Sequence, residues 1–346
     1  MKNSKPISKE KQKELLYSSY FSGKPLIAPK TCSIGITSQC NSKCTYCNTW
    51  SNQKDIPHKE LSLEHFMQIA DSLKKIGVEE ILFSGGEPFL HSRLLELMKY
   101  SNKIGFKTRI ITNGINLNEK IITDLISVGL KRIGISIDAL TPEIYYKTRG
   151  VSIDNCLETL NILRKIKIKN SSLRVDLYTV INKYNLNELL PLQDFANESS
   201  FRNSYQTLQM DEEIPKRINS VWLNEEEICN LEGIINQLIL RKKKGYPINN
   251  EENYLHNITK FFKERNTIPE QCFAGYLRIN IDEYLNVKTC WMMPPVGNLY
   301  KENLEDIWNE DSEKLINNRS LIFNKQCPGC FFPCHIEANL TFGTRT

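Results

Sequence analysis

Short apolar runs alternate along the chain with longer segments whose apolar residues recur every three or four positions. The runs lie at 33–37, 80–84, 108–112, 132–138 and 173–181, with a weaker one at 203–208. Between them, residues 61–76, 93–104, 118–128 and 156–168 carry the helical period, and Gly77, Gly105 and Gly129 stand where helices would stop. Near-continuous apolar strands linked by helices predict a parallel sheet covered by helices, with right-handed connections. We therefore expect an α/β fold, a partial barrel of about six β/α units similar to a TIM barrel. Residues 224–244 predict a further amphipathic helix, with Ile228, Leu231, Ile234, Ile235, Leu238 and Ile239 on one side. After Cys272 the periodicity shortens and Cys, Pro and Gly become frequent, the pattern of a small unit held by metal. The expected organisation is a leader at 1–30, a barrel at 31–223, a helical connector at 224–266 and a C-terminal unit at 267–346.

Composition narrows the function classes. With 40% hydrophobic and 25% charged residues the chain reads as an ordinary globular protein. The net charge of +5 comes from 45 basic and 40 acidic residues, interspersed, and the densest basic run is Arg241–Lys244. Without a basic stripe or interleaved aromatics, nucleic acid is not an expected partner. The sequence carries neither a secretory apolar run nor a stretch approaching the ~18 apolar residues of a membrane span, so a cytoplasmic location is expected.

The 11 cysteines change the picture. In a reducing compartment they point to metal or redox chemistry, and they are clustered: Cys40, Cys44 and Cys47 together, then Cys272, Cys290, Cys327, Cys330 and Cys334. Cys32, Cys156 and Cys229 stand apart and read as small buried hydrophobes. The triplet follows the first predicted strand directly, at the C-terminal edge where parallel sheets place active sites. A cubane [4Fe–4S] cluster normally takes four thiolates, so three leave one iron open to a ligand. A zinc ion would require a fourth ligand nearby.

The order Cys40-Asn-Ser-Lys-Cys44-Thr-Tyr46-Cys47 resembles the Cys-x3-Cys-x-aromatic-Cys signature of the radical S-adenosylmethionine (SAM) superfamily. Ser84-Gly85-Gly86-Glu87-Pro88, after the second strand, resembles that family's Gly-Gly-Glu-Pro element, whose backbone binds the SAM amino group. Thr112-Asn113-Gly114 resembles its Thr-Asn-Gly segment, Ser136-Ile-Asp138 its Ser-x-Asp element, and Thr148-Arg149-Gly150 its Arg-Gly element. The resemblance continues through residues 179–183 and Asn185. It implies a SAM-cleaving [4Fe–4S] cluster on Cys40, Cys44 and Cys47. It also implies SAM contacts among Tyr46, Ser84, Gly85, Gly86, Glu87, Pro88, Asn113, Ser136, Asp138 and Arg149, with Ser136 and Arg149 at the SAM carboxylate.

Cys272, Cys290, Gly297-Asn298, Ile307-Trp308 and Cys327-Pro-Gly-Cys330 resemble the C-terminal SPASM extension or its shortened twitch form. With five cysteines where a full SPASM unit carries about seven, the resemblance implies one auxiliary [4Fe–4S] cluster on Cys272, Cys290, Cys327 and Cys330. Cys334 is a replacement ligand, part of a second cluster, or a bystander. Zinc on Cys327, Cys330, Cys334 and His335 is the competing reading.

The implied activity is reductive cleavage of SAM to a 5′-deoxyadenosyl radical that abstracts hydrogen from a substrate, with a flavodoxin or ferredoxin as one-electron donor. The roughly 30 residues ahead of the first strand are too few for the leader-binding domain of many peptide maturases. This favours a small molecule, such as a sugar or natural product, over a ribosomal peptide or protein. A non-catalytic iron–sulfur or zinc scaffold is the third reading. Acid or base candidates are Tyr178, Asp211, Glu212 and Glu213, none singled out.

Overall fold

A computed structural model of the chain describes residues 8–50, 60–209, 215–264 and 271–331, so Asp211, Glu212, Glu213, Cys334 and His335 lie outside the described residues. A first helix, α1 (Lys9–Ser22), is capped by the Ser8 side chain on the Lys11 N–H and stopped by Gly23. Six strands then alternate with helices: β1 (Thr31–Thr37), α2 (Leu63–Ile76), β2 (Glu80–Gly85), α3 (Leu94–Lys103), β3 (Lys107–Thr112) and α4 (Glu119–Ser127). There follow β4 (Arg132–Ser136), α5 (Pro142–Arg149), α6 (Asp154–Lys169), β5 (Arg174–Val180), α7 (Leu189–Glu198) and β6 (Arg202–Gln206). All neighbouring pairs from β1 to β6 are parallel. This is the expected partial (β/α)6 barrel, and each predicted strand lies within two residues of its place at the start.

Strand alternation divides the sheet. Cys32, Ile34, Ile81, Phe83, Ile110, Ile133, Ile135, Val175 and Leu177 are buried in one apolar core with Phe66, Leu73, Leu97, Ile122 and Leu160 of the covering helices. Helices of this kind are held mainly by that apolar face rather than by intrinsic propensity.

Beyond the barrel come α8 (Pro215–Val221), α9 (Glu225–Lys243) and α10 (Glu252–Lys263). Asn224 and Glu227 close a reciprocal capping box at the start of α9. The six apolar residues named from the sequence are all buried there, in a second core with Trp222, Tyr254, Phe261 and Phe262.

The C-terminal segment extends the same sheet. β7 (Arg278–Ile281) pairs parallel with β1, and β8 (Asn286–Lys288) and β9 (Gly297–Asn298) continue it antiparallel, giving the order β6-β5-β4-β3-β2-β1-β7-β8-β9. Helices α11 (Leu304–Ile307) and α12 (Glu313–Phe323) follow. No helix among the described residues is long and apolar enough to cross a membrane.

Candidate active site

The cysteine loop leaves the C-terminal end of β1 and is clamped by four backbone hydrogen bonds. The Gly86 N–H bonds the Thr37 carbonyl at 2.8 Å and the Glu87 N–H bonds the Gln39 carbonyl at 2.7 Å. A Cβ on Gly86 would lie 2.0 Å from the Gln39 carbonyl oxygen, so only glycine permits this approach. Farther along, the Lys43 N–H bonds the Arg149 carbonyl at 2.9 Å and the Thr45 N–H bonds the Thr148 carbonyl at 3.0 Å. Gly150, in left-handed backbone at φ +68°, leaves room where a Cβ would meet the Lys43 carbonyl oxygen at 2.8 Å. The loop closes on itself through Cys47 N–H to the Cys44 carbonyl at 3.2 Å, which also accepts the Trp50 indole N–H at 2.9 Å.

Two buried carboxylates tie this loop to the neighbouring strand ends. Glu87 accepts from the Thr112 hydroxyl (2.6 Å), the Asn113 N–H (2.7 Å) and the Phe89 N–H (3.1 Å). Burial pushes its pKa up against these bonds. Asn113 in turn donates through Nδ2 to Asn41 Oδ1 at 2.6 Å and Ser42 Oγ at 3.0 Å. Asp138, fully buried, accepts from the Tyr46 hydroxyl (2.5 Å), Arg149 Nε (2.6 Å) and Nη2 (3.1 Å), and the Val180 N–H (2.9 Å).

The expected site residues fall at one sheet edge, and Arg149, expected at the SAM carboxylate, has its guanidinium engaged by protein groups instead. Arg149 Nη1 lies 3.9 Å from Cys44 Sγ, so every nitrogen of its guanidinium faces Asp138 or Cys44. Ser84 Oγ contacts Ser33 Oγ at 3.2 Å, and Pro88 begins a single 3-10 turn, Pro88–Leu90. Ser136 is the half-buried last residue of β4, in register with Tyr178 of β5. Tyr178 is turned away, its ring over Gly134 and its hydroxyl 3.4 Å from Arg132 Nη2. Gln39 carries no signal in the sequence, and Asn41, Ser42 and Thr148, although they lie inside the quoted motifs, act through a generic amide, hydroxyl or carbonyl that the motif pattern does not specify. Glu283, in the turn between β7 and β8, was also not foreseen. A Cβ on Gly35 of β1 would meet its backbone nitrogen at 2.8 Å and its carboxylate at 3.2 Å, which places this carboxyl beside the strand that leads into the cysteine loop.

Burial pushes the thiol pKa values of Cys40 and Cys44 up to about 12 and about 11. The donor set fits a [4Fe–4S] cluster. Two of the three sulfurs face N–H groups, the Ser42 backbone at Cys40 and Arg149 Nη1 at Cys44, and such bonds tune cluster sulfur.

Three of the C-terminal cysteines pack in one apolar cluster, of which Cys330 is not a member. Cys272, Cys290 and Cys327 share one small cluster with Ala274, Met292, Met293 and Ile322, and the Met292 N–H lies 3.4 Å from Cys290 Sγ. Gln209, just past β6, reaches Met292 Sδ at 3.4 Å, and Thr207 bonds the Phe331 carbonyl at 2.9 Å, next to Cys330.

A three-cysteine loop at the C-terminal edge of a partial barrel, clamped by a glycine pair and two buried carboxylates, is the kind of site that would hold an iron–sulfur cluster. Residues 34–196 match the family model of the radical SAM superfamily, so this stretch is a radical SAM domain, and members of the superfamily use a [4Fe–4S] cluster and SAM. It is 26% identical over 319 residues to the Fe-coproporphyrin III synthase of Methanosarcina barkeri, covering 85% of this chain and 78% of that protein. It is 32% identical over 166 residues to the S-adenosylmethionine-dependent nucleotide dehydratase of Selenomonas ruminantium, 45% of this chain but only 58% of that protein. The crystal structure of Streptococcus suis SuiB bound to precursor peptide SuiA shares the fold, with a TM-score of 0.68 at 17% identity over 92% of this chain and 74% of that one.

Proposed function

We propose that this radical SAM enzyme abstracts hydrogen from a small-molecule substrate, and that a second [4Fe–4S] cluster on Cys272, Cys290, Cys327 and Cys330 serves the same reaction. When bound, the first cluster and SAM together supply a 5′-deoxyadenosyl radical. The chain's own residues position and shield. Gly85, Gly86 and the backbone to Pro88 would offer polar groups to the SAM amine and Ser136 would face its carboxylate, while Asp138 with Arg149 fixes the loop and would balance thiolate charge. Positioning of this kind, with water excluded, is the protein's share of cofactor chemistry.

The observation that carries the reading is the joint clamping of the Cys40–Cys47 loop by Gly86, Glu87, Asp138 and Arg149. Support for a small molecule comes from the synthase of Methanosarcina barkeri, which matches along most of both chains. Anaerobic incubation with dithionite and SAM should yield 5′-deoxyadenosine, and iron should approach about eight atoms per chain, four per cubane. Loss of the nucleoside product in Cys44→Ser, with iron falling to about four, is expected. Wild-type protein that binds zinc, or that never cleaves SAM, would refute the proposal.

A further inference from the structure

On the inner face of the sheet three arginines stand side by side. Strand alternation sends Ile110, Ile133 and Val175 into the core under the helices, so Arg109, Arg132 and Arg174 point to the barrel interior. Arg109 of β3 is paired in register with Arg132 of β4, and Arg132 with Arg174 of β5. Neighbouring strands lie ~4.8 Å apart, and like charges directly opposite one another are destabilising. A fourth arginine, Arg278, opens β7 on the same face: it pairs with Thr31 of β1, while Ile279 and Ile281 join the core. Arg132 and Arg174 are the first residues of their strands, so the row lies toward the end of the barrel opposite the cysteine loop.

Among the described residues, Asp176 and Glu80 are the carboxylates that ion-pair with this row, and they serve it unevenly. Asp176, fully buried, accepts from Arg132 Nε and from Arg174 Nε, the latter at 2.9 Å. Arg174 Nη2 also donates to Asn249 Oδ1 at 3.0 Å, and Arg132 Nη2 reaches the Tyr178 hydroxyl at 3.4 Å. Arg109 has only a loose contact, Glu80 Oε1 at 3.5 Å from its Nε. That nitrogen is buried without a hydrogen-bond partner, on a side chain 12% exposed. Burial lowers the Arg109 pKa, Tyr178 and Glu80 oppose the fall, and Arg132 and Arg278 add to it. A buried charged donor left without an acceptor carries its full desolvation cost, and guanidinium groups gathered in this way match the oxygens of a phosphate or carboxylate.

We propose that Arg109 and Arg132, with Arg278 on the same face, form a binding site for an oxyanion, a phosphate or carboxylate group, inside the barrel and apart from the cysteine loop. The anion gives the orphaned Arg109 nitrogen an acceptor and offsets the repulsion along the row. Glu80 competes with it for Arg109, which makes that carboxylate the local brake on binding. The site depends on strand register and side-chain charge alone, so it stands whether or not the cysteines hold a cluster.

The test uses the full chain, with inorganic phosphate and succinate as probes and sodium chloride at matched ionic strength as the control for general screening. Each probe is titrated by calorimetry and by its effect on the melting temperature. At least one of them should raise the wild-type melting temperature saturably, as a ligand of the folded state does. A preference for phosphate assigns a phosphate-bearing ligand, and a preference for succinate a carboxylate. Arg109→Met should weaken binding at least about tenfold, the loss of a hydrogen bond to a charged group. Without anion the same variant should melt at or above the wild-type temperature, because a poorly paired buried charge is gone, and saturating anion should reverse that order. Glu80→Gln should tighten binding, which a charged layer of purely structural role would not do. Absence of a saturable effect of either probe on wild type overturns the proposal. So does affinity unchanged in both Arg109→Met and Glu80→Gln, which would put the anion elsewhere on the molecule.

Discussion

Arg149 grips Asp138 at two points, Nε to Oδ2 at 2.6 Å and Nη2 to Oδ1 at 3.1 Å, with both groups buried. The pair joins the end of α5 to the segment after β4, and through Tyr46 and Cys44 it reaches the cysteine loop. Removing one partner strands the other charge away from water. Asp138→Asn should therefore cost about 3–5 kcal/mol in denaturant unfolding, with iron lost from the triplet. Equal iron and stability in the variant would show that the pair does not hold the loop.

Gly86 and Gly233 make a contrasting pair. A methyl group at 86 would meet a backbone oxygen at 2.0 Å, whereas at Gly233, on the exposed face of α9, it meets nothing within 4 Å. Gly86→Ala should displace the loop, abolish SAM binding by calorimetry and destabilise by about 1–3 kcal/mol. Gly233→Ala should leave SAM binding intact and stabilise by about 0.5–1 kcal/mol, as alanine does in a helix interior.

Glu283 presents a carboxyl with its pKa raised by burial, with Asp282 adding to the shift and Lys288 opposing it. A carboxyl whose folded pKa lies above its unfolded one favours folding when protonated. That contribution is complete below the unfolded value and disappears as pH rises through the folded value. Glu283→Gln should accordingly raise the melting temperature relative to wild type at pH 7 to 8, and the gain should shrink toward pH 4. A difference independent of pH would mean that ionisation of Glu283 carries no cost.

Asp176 shows the opposite sign. It is fully buried and bonded to Arg132, to Arg174 Nε at 2.9 Å and to Asn249 Nδ2 at 3.1 Å. Burial would raise its pKa, but Arg132 and Arg174 outweigh burial and hold it below the usual carboxylate value. Its contribution is present above the unfolded pKa and is lost as pH falls through the folded one. Asp176→Asn should lower stability by about 3 kcal/mol at pH 7, with a smaller difference at pH 3, in urea melts.

Much of this molecule is written in its local sequence. Period-two and period-three-to-four patterns placed β1 to β6 and their helices because burial of one face dominates those segments. Spacing alone put Cys40, Cys44 and Cys47 on one loop after a strand, since residues so close in sequence cannot separate in space.

Other relationships depended on contacts between distant segments. That β7 lies beside β1 follows from strand pairing, and four residues of β-forming sequence do not say which edge they will join. That Arg149 faces Asp138 and Cys44, that Glu283 lies against Gly35, and that Tyr20 of the first helix covers Cys272 all depend on packing between elements. A sequence pattern reports which face of an element avoids water, whereas a buried charge or ring is specified by whatever the folded chain brings opposite it.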